Sequence, residues 1–177
     1  YWNREEDTRR AFTEDGWLRT GDQADLSDGG RIRIKGRIKE IIVTSVGEKV
    51  SPVDLEFAIL EDPLFDQVMV VGENRPYVAA LVVLNNERWR ALCADLQVNP
   101  DDPGTRGSRE VRNTILKRVR SATKFFPRYG QPRNVAVLPD NWTTENGLLT
   151  TTMKLRRRQI AERYAAEIEE LYKGHGA

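Results

Sequence analysis

The chain has 177 residues, with 28 Lys and Arg against 27 Asp and Glu, one His, one Cys and a net charge of +1. This length accommodates one or two small domains with a hydrophobic core. The near-zero charge excludes a protein that binds nucleic acid or membranes through a strong overall field, and the single Cys excludes a disulfide framework. The sequence starts at Tyr1 without Met or a signal-peptide pattern, and no apolar run approaches the roughly 18–20 residues that span a bilayer. These features predict a cytoplasmic protein and indicate that the chain is a piece of something larger.

The first 38 residues are predicted to form short strands and turns after one helical segment. Arg4–Phe12 is polar and compatible with a helix, and Trp17–Thr20 is typical of a short strand. A second strand near Gln23–Leu26 meets Ser27–Gly30, whose Asp-Gly-Gly sequence favours a hairpin turn. Arg31–Lys35 then alternates polar and apolar residues, which is the pattern of a half-buried strand. These elements would make a poor core alone.

Residues 39–177 are predicted to form an α+β domain with a short mixed or antiparallel sheet flanked by helices. A Ser-Pro pair at positions 51 and 52 marks one helix start. Longer helices follow where apolar residues recur at helical spacing. Strands are predicted at Ile41–Val43, Lys49–Val50, Val68–Val71, Val78–Leu84 and Val135–Leu138, and helices from Pro52, over Asn86–Leu96, over Glu110–Phe126 and over Arg156–Tyr172.

Two segments in the first third of the chain carry residues suited to nucleotide chemistry. Gly16–Asp22 ends with Asp22 just after a glycine, where a carboxylate can accept two hydrogen bonds from a vicinal diol such as ribose. In Gly36–Pro52, Arg37 offers a rigid fork of donors for a phosphate or ribose, and Gly47 permits a close backbone approach to a ligand. Taken alone, the first segment is also interpreted as a plain turn and the second as a charged surface hairpin.

A hinge and a mobile charge are the remaining candidates. Lys39 lies where two regions of different composition meet, which is a reasonable place for a hinge. Lys154 follows the polar segment Asn141–Thr152, predicted to be a long flexible loop, and precedes a helix. It could therefore be delivered to an anionic centre as a compact charge. The alternative is a solvated basic helix start, but cations are disfavoured at a helix N-terminus, which favours a role beyond helix stability.

In this order and spacing, the segments resemble the C-terminal part of acyl-adenylate-forming ligases. That superfamily holds acyl-CoA synthetases, adenylation domains of peptide synthetases and firefly-type luciferases. Ala11–Asp22, Gly36–Thr44 and Leu149–Arg158 are most similar to the long-chain fatty acid–CoA ligases. The resemblance covers nearly the whole chain. It implies that residues 1–38 are the end of the large N-terminal AMP-binding domain and that residues 39–177 are the mobile C-terminal domain.

The family reaction implied by this resemblance has two steps. A carboxylate attacks the α-phosphate of ATP to give acyl-AMP and pyrophosphate, and the thiol of CoA then displaces AMP while the small domain rotates. The resemblance implies that Lys154 contacts the α-phosphate and the carboxylate, that Asp22 and Arg37 bind the ribose side of ATP, and that Lys39 is the hinge. The residues implied to line the CoA path are Ser45, Val46 and Gly47.

The chain departs from the family pattern at two positions and lacks several family elements. Met153 stands where many members have Gly, and Glu40 stands where many have Asp. The phosphate-binding loop, the aromatic adenine-binding segment and the acyl tunnel are not in this sequence. The resemblance places them, and most of the Mg²⁺ binding, in the large domain. The chain alone is therefore predicted to be inactive and to hold no ATP, CoA or metal.

The implied partners are the protein's own N-terminal domain and the substrates fatty acid, ATP and CoA, without nucleic acid; the family leaves a peripheral membrane contact open. Two other functions remain, an acyl-AMP ligase that delivers to a carrier protein and a non-catalytic α+β interaction domain. Cys93 is interpreted as a core thiol, and Arg156–Arg158 as a solvated helix face with a CoA phosphate or an anionic membrane as the alternative contact.

Overall fold

The computed structural model describes residues 2–174, and at positions 27, 28, 35 and 39 it describes the backbone alone. The chain divides into two compact units between Ile41 and Ile42. The sequence predicts this division between residues 38 and 39. Each unit is described by itself below.

The first unit consists of one short helix and one β-hairpin. Helix α1 spans Glu5–Ala11, strands β1 and β2 span Asp22–Asp28 and Arg31–Arg37, and a 3₁₀ turn follows at Ile38–Glu40. The hairpin is antiparallel and turns through Gly29 and Gly30, whose φ angles of 61° and 86° lie in the left-handed region that glycine adopts without strain. The predicted hairpin and its turn are thus confirmed.

Two expectations for this unit are wrong. Trp17–Thr20 makes a single bridge, Leu18 to Phe12, rather than a strand, because backbone bonds from Thr13 to Trp17 and from Arg19 to Ala11 fold the segment tightly onto itself. The alternating β2 strand is not half-buried: Ile32 and Ile34 remain 69% and 60% exposed. Alternation indicates a strand with one apolar face, but it does not supply the layer that would cover that face.

The second unit is built on a three-stranded mixed sheet, which confirms the predicted α+β class. Strands β5, β6 and β7 span Phe65–Val71, Ala79–Leu84 and Val135–Leu138, in the order β5-β6-β7. Strand β6 runs antiparallel to β5 and parallel to β7. A small separate hairpin, β3 at Ile42–Val43 and β4 at Lys49–Val50, opens the unit. Its helices are α2 at Pro52–Leu60, α3 at Asn86–Asp95, α4 at Arg109–Ala122, α5 at Arg157–Arg163 and α6 at Ala165–Tyr172.

Both faces of the sheet are covered, because alternate residues of a strand point to opposite sides. One face packs against α2, α3 and α4, and the other against α5, α6 and the segment before them. The first cluster includes Val68, Val70, Val82, Leu55, Ile59, Trp89, Cys93 and Ile115. The second includes Met69, Leu81, Val83, Trp142, Leu148, Leu149, Ile160 and Leu171. Cys93 is fully buried, and burial raises the pKa of its thiol, as expected for a core residue.

The final helix is wrongly predicted as continuous. It breaks at Tyr164, where φ is −108° and ψ is 31°, into α5 and α6. The break lets apolar residues of both halves reach the same face of the sheet, and Tyr164 itself is buried there. The carbonyl of Leu171 accepts hydrogen bonds from Tyr77 Oη at 2.7 Å and Asn134 Nδ2 at 2.8 Å, which fix the end of α6.

Across residues 2–174, none of the helices combines the length and the apolar character needed to cross a bilayer.

Candidate active site

Asp22 and Arg37 are register partners at the open end of the β1–β2 hairpin. Arg37 Nε lies 3.2 Å from Asp22 Oδ1, and Arg37 Nη1 donates to the carbonyl of Thr20 at 3.4 Å. The backbone N–H of Asp22 donates to Thr20 Oγ1 at 3.1 Å. The two residues predicted to bind ribose are therefore brought together, and the guanidinium holds the carboxylate at the end of the strand.

The predicted hinge, Lys39, lies in the 3₁₀ turn Ile38–Glu40. The turn directly follows β2, and Ile38 N–H donates to the carbonyl of Gly21 at 2.9 Å. The division between the two compact units comes shortly after it, at Ile41–Ile42. The backbone position is compatible with a hinge, and the hinge role of Lys39 stays a prediction.

The predicted CoA-path residues Ser45, Val46 and Gly47 form the exposed tip of the β3–β4 hairpin. Val46 is 70% exposed, and Gly47 has a φ of 84°, a conformation that residues with a side chain rarely adopt. Thr44 closes the tip, because its Oγ1 accepts from Glu48 N–H at 3.1 Å and its carbonyl accepts from Gly47 N–H at 2.9 Å. The tip presents backbone groups and small side chains to solvent.

The predicted turn between β5 and β6 supports this tip, a contact that the sequence did not indicate. Ser45 N–H donates to the carbonyl of Arg75 at 2.9 Å, and Glu73 Oε2 accepts from Val43 N–H at 2.9 Å. The Arg75 guanidinium is ion-paired with Glu169 of α6 and lies 5.0 Å from the centre of the Tyr172 ring. Burial raises the pKa of the Tyr172 hydroxyl, so this ring stays neutral.

Lys154 lies in a tight turn between two short extended legs. Thr150 N–H donates to the Lys154 carbonyl at 2.8 Å, Lys154 N–H donates to Thr150 Oγ1 at 3.0 Å, and Leu149 and Leu155 form a bridge. The Lys154 side chain is exposed. The predicted loop is therefore closely hydrogen-bonded along its backbone at this end, and the charged side chain of Lys154 extends into solvent.

The residue before Lys154 has an unusual backbone conformation. Met153 has a φ of 61°, in the left-handed region, and its side chain is 69% exposed. Only glycine adopts this region freely, and other residues pay about 1–2 kcal/mol. The turn thus explains physically why a glycine suits the position before the lysine, which is where the sequence resemblance places one.

The interpretation of Arg157, three residues after Lys154, as part of a solvated helix face is wrong. The Arg157 guanidinium makes a two-pronged pair with Glu56 of α2, at 2.8 Å and 2.5 Å. Glu56 is 6% exposed and its Oε1 also accepts from Val70 N–H at 2.7 Å. A signal was available in the sequence: Glu56 lies beside Leu55 and near Ile59 on the apolar stripe of α2, and a buried carboxylate needs a partner.

Nucleotide chemistry often uses a bound metal ion, which a cluster of ligating side chains would hold. Within residues 2–174, no group of three or more His, Cys, Asp and Glu side chains converges in a way that could hold a metal ion. Asp22 and Arg37 belong to the first unit, and Ser45, Gly47 and Lys154 belong to the second. The described part of the chain thus offers a carboxylate–guanidinium pair, a glycine-containing tip and a presented ammonium group.

Comparison with known proteins identifies the family. Residues 39–176 match the family described as AMP-binding enzyme C-terminal domain. The chain belongs to the AMP-binding enzymes. Within this family's C-terminal domain, the matched segment contains the Ser45–Gly47 tip and the Lys154 turn.

Relatives with stated activities and solved structures agree on the family. The chain is 35% identical over 97% of its length to long-chain-fatty-acid–CoA ligase FadD15 of Mycobacterium tuberculosis, and 29% identical over 97% to the chloroplastic long-chain-fatty-acid–[acyl-carrier-protein] ligase AEE15 of Arabidopsis thaliana. The adenylation domain of carboxylic acid reductase from Segniliparus rugosus, solved with AMP and a co-purified carboxylic acid, matches 99% of this chain with a TM-score of 0.82 and 28% identity. The chain spans 29% and 23% of the two ligases and 26% of the reductase chain.

Proposed function

We propose that this chain is the C-terminal part of an ATP-dependent ligase that activates a long-chain fatty acid as its acyl adenylate and transfers the acyl group to CoA. The observation that carries the proposal is the similarity to FadD15 across 97% of the chain, which includes the segments around Asp22, Arg37 and Lys154. On this proposal, residues 1–38 are the end of the large domain and residues 39–177 are the mobile domain.

In the first half-reaction, Lys154 is the catalytic residue. A carboxylate oxygen of the fatty acid forms a bond to the α-phosphorus of ATP, the bond from that phosphorus to the bridging oxygen breaks, and pyrophosphate leaves with the electron pair. Two anions must approach and negative charge collects around phosphorus, so a fixed ammonium group lowers the barrier. The exposed Lys154 side chain on a hydrogen-bonded turn is suited to deliver this charge.

Asp22 and Arg37 act on the nucleotide. The carboxylate of Asp22 accepts hydrogen bonds from the ribose hydroxyls, which fixes the α-phosphate relative to the fatty acid. Arg37 keeps that carboxylate in place and contributes a donor to the ribose or a nearby phosphate. Mg²⁺ accompanies the ATP phosphates in this family, but the described residues form no cluster suited to it, so no step is assigned to it here.

In the second half-reaction, the thiol sulfur of CoA attacks the acyl carbonyl carbon. The bond from that carbon to the AMP oxygen breaks, AMP leaves, and the thiol proton passes to solvent. The exposed Ser45–Gly47 tip lines the path of the pantetheine arm, where backbone groups and the missing side chain of Gly47 permit close approach. Rotation about the hinge at Lys39 would move the Lys154 turn away from the reacting groups and bring this tip to them.

The acceptor has a second candidate. The similarity to AEE15, an acyl-carrier-protein ligase by name, supports a phosphopantetheine arm on a carrier protein as the alternative to free CoA. Both acceptors present the same thiol arm, so the tip described here suits either one. The two are separated by supplying the full-length protein with free CoA and with a phosphopantetheine-loaded carrier.

The test is exchange of labelled pyrophosphate into ATP by the full-length protein, with and without a long-chain fatty acid. The proposal expects fatty-acid-dependent exchange and, when CoA is added, a thioester. No exchange with any carboxylic acid would overturn the proposal and leave a non-catalytic interaction domain as the explanation. The 177-residue chain alone is expected to give no exchange.

A further inference from the structure

The pair of Glu56 and Arg157 joins parts of the second unit that lie on opposite faces of its sheet. Glu56 belongs to α2, which covers one face, and Arg157 is the first residue of α5, which covers the other. The carboxylate also accepts the N–H of Val70, on strand β5. Since β5 pairs with β6 alone among the described strands, the link runs around the edge of the sheet.

The geometry of the pair is that of a fixed brace. The two guanidinium Nη atoms donate to different carboxylate oxygens, at 2.8 Å and 2.5 Å. Counting side-chain atoms alone, Arg157 is 26% exposed and Glu56 is 9% exposed. Such two-pronged pairs fix orientation as well as distance, because the two planes must lie side by side. The third hydrogen bond, from Val70, prevents the carboxylate from rotating.

The Arg157 end of the brace lies directly after the base of the Lys154 turn. Arg156 N–H donates to the Leu148 carbonyl at 2.9 Å and so closes the base of the turn, and Arg157 follows it directly. The opposite leg is fixed by burial, since Leu148 and Leu149 are each 3% exposed. One leg of the turn is therefore held directly by the core, and the brace adds an anchor on α2 to the other leg, which is also bonded to the first leg through the Leu149–Leu155 bridge.

We propose that Glu56 and Arg157 are positioning residues that hold the Lys154 ammonium group for adenylate formation. This inference rests on the proposed function. The lysine stem is long and exposed, so the location of its charge depends on where the backbone of the turn lies. Release of the brace removes the anchor of the α5 leg on α2, and the turn, which keeps only its bonds to the core leg, shifts. A misplacement of about 1 Å is enough to slow a positioned reaction by about a hundredfold.

The experiment measures both half-reactions of the full-length enzyme with Glu56→Gln and Arg157→Lys. Gln keeps the size of Glu56 and an oxygen for Val70 N–H but loses the charge, and Lys keeps the charge of Arg157 but loses the fork. We expect acyl-adenylate formation to fall between about tenfold and about a hundredfold, and thioester formation from supplied acyl-AMP to change less than about threefold. Arg157→Lys gives the same test if Glu56→Gln does not fold.

A matched control comes from the other two-pronged pair of this unit. Arg118 of α4 donates to both oxygens of Asp62 at 2.7 Å and 2.6 Å, and neither residue touches the Lys154 turn through any described hydrogen bond. Asp62→Asn removes the same type of interaction. We expect it to leave adenylate formation within about twofold of wild type, because this pair is independent of the Lys154 turn and changes at independent sites do not affect one another.

A double-mutant cycle decides between positioning and general stability. If the brace acts through Lys154, Glu56→Gln in a Lys154→Ala background causes no further loss of adenylate formation. Full additivity of the two losses, or equal slowing of both half-reactions by Glu56→Gln, would overturn the inference. Its failure is separable from failure of the proposed function, because in the latter case the wild-type enzyme forms no adenylate or Lys154→Ala leaves the rate unchanged.

Discussion

The Arg37 guanidinium lies beside the Asp22 carboxylate across the first register pair of the β1–β2 hairpin, with Nε and Oδ1 3.2 Å apart. The two residues stand at opposite ends of the hairpin's sequence and at the same end of its structure. A residue pair that was predicted from motifs as two separate ribose contacts is thus one unit. The Arg37 guanidinium holds the Asp22 carboxylate in position.

The first prediction concerns the Asp22–Arg37 pair. Asp22→Asn in the full-length enzyme removes the charge of the carboxylate that accepts hydrogen bonds from the ribose hydroxyls. Loss of a hydrogen bond to a charged group reduces the favourable free energy of binding by about 1.5–3 kcal/mol. The KM for ATP should therefore rise between about tenfold and a hundredfold, while Arg37→Ala should raise it less. Asp15→Asn, which changes an exposed carboxylate in the same unit, serves as the control. An unchanged KM for ATP in Asp22→Asn would contradict the ribose assignment.

The second prediction concerns the strained residue before the lysine. Met153→Gly relieves the left-handed backbone and removes a side chain that is 69% exposed, so adenylate formation should stay within about twofold of wild type. Met153→Ile places a β-branched residue at a φ of 61° and should slow adenylate formation about tenfold or more by distorting the turn.

Single-turnover formation of acyl-AMP is the measurement for these variants, and Met153→Leu, which is not branched at Cβ, is the control. If the Gly and Ile variants were equally slow, the conformation of the turn would not be what limits the reaction.

The third prediction is a pH dependence of stability at Asp62. Burial acts to raise the pKa of this carboxyl, but the hydrogen bonds from Arg118 and Leu64 N–H and the charge of Arg118 together hold the pKa below its ordinary value. A folded pKa below the unfolded one means that the pair stabilises the protein above the ordinary carboxyl pKa of about 3.9 and loses this effect as pH falls through the lowered value.

Urea unfolding followed by tryptophan fluorescence checks this at pH 7 and pH 3. Asp62→Asn should lower the free energy of unfolding by about 1 kcal/mol at pH 7, since the Arg118 side chain is partly exposed and screened. The difference between wild type and variant should shrink at pH 3. A difference that grew toward acid would mean that the pKa shift has the opposite sign.

The sequence predicted most of the second unit and less of the first. Runs such as Val68–Val71 and Val135–Leu138 identify strands by their composition. The Ser-Pro pair identifies the start of α2. Both signals are local in the sequence. The burial of β2 and the break at Tyr164 depend on what packs against each element, which no local pattern specifies. The alternation at Ile32 and Ile34 indicates that β2 has an apolar face, but it does not indicate which residues would cover that face.

The candidate site shows the same division. Asp22, Arg37 and Lys154 are predicted from motifs, because each motif is a short local segment of the chain, and their roles stay predictions. The support of the Ser45 tip by Arg75, and the brace from Glu56 to Arg157, join positions that are far apart in sequence. Glu56 gave the one local warning, as a carboxylate beside apolar residues on a buried helix stripe. Its partner 101 positions away could be identified only from the folded structure.

The central claim is that Lys154 supplies the charge for adenylate formation, and its most direct test is to measure the two half-reactions separately in the full-length enzyme with Lys154→Ala. Acyl-AMP formation from ATP and fatty acid should fall by about 10²–10³-fold, as for loss of a placed charge or donor, while thioester formation from supplied acyl-AMP should change by less than about threefold. Lys117→Ala, an exposed lysine on α4, should match wild type in both. Equal loss in both half-reactions, or an unchanged rate of acyl-AMP formation, would contradict the role assigned to Lys154.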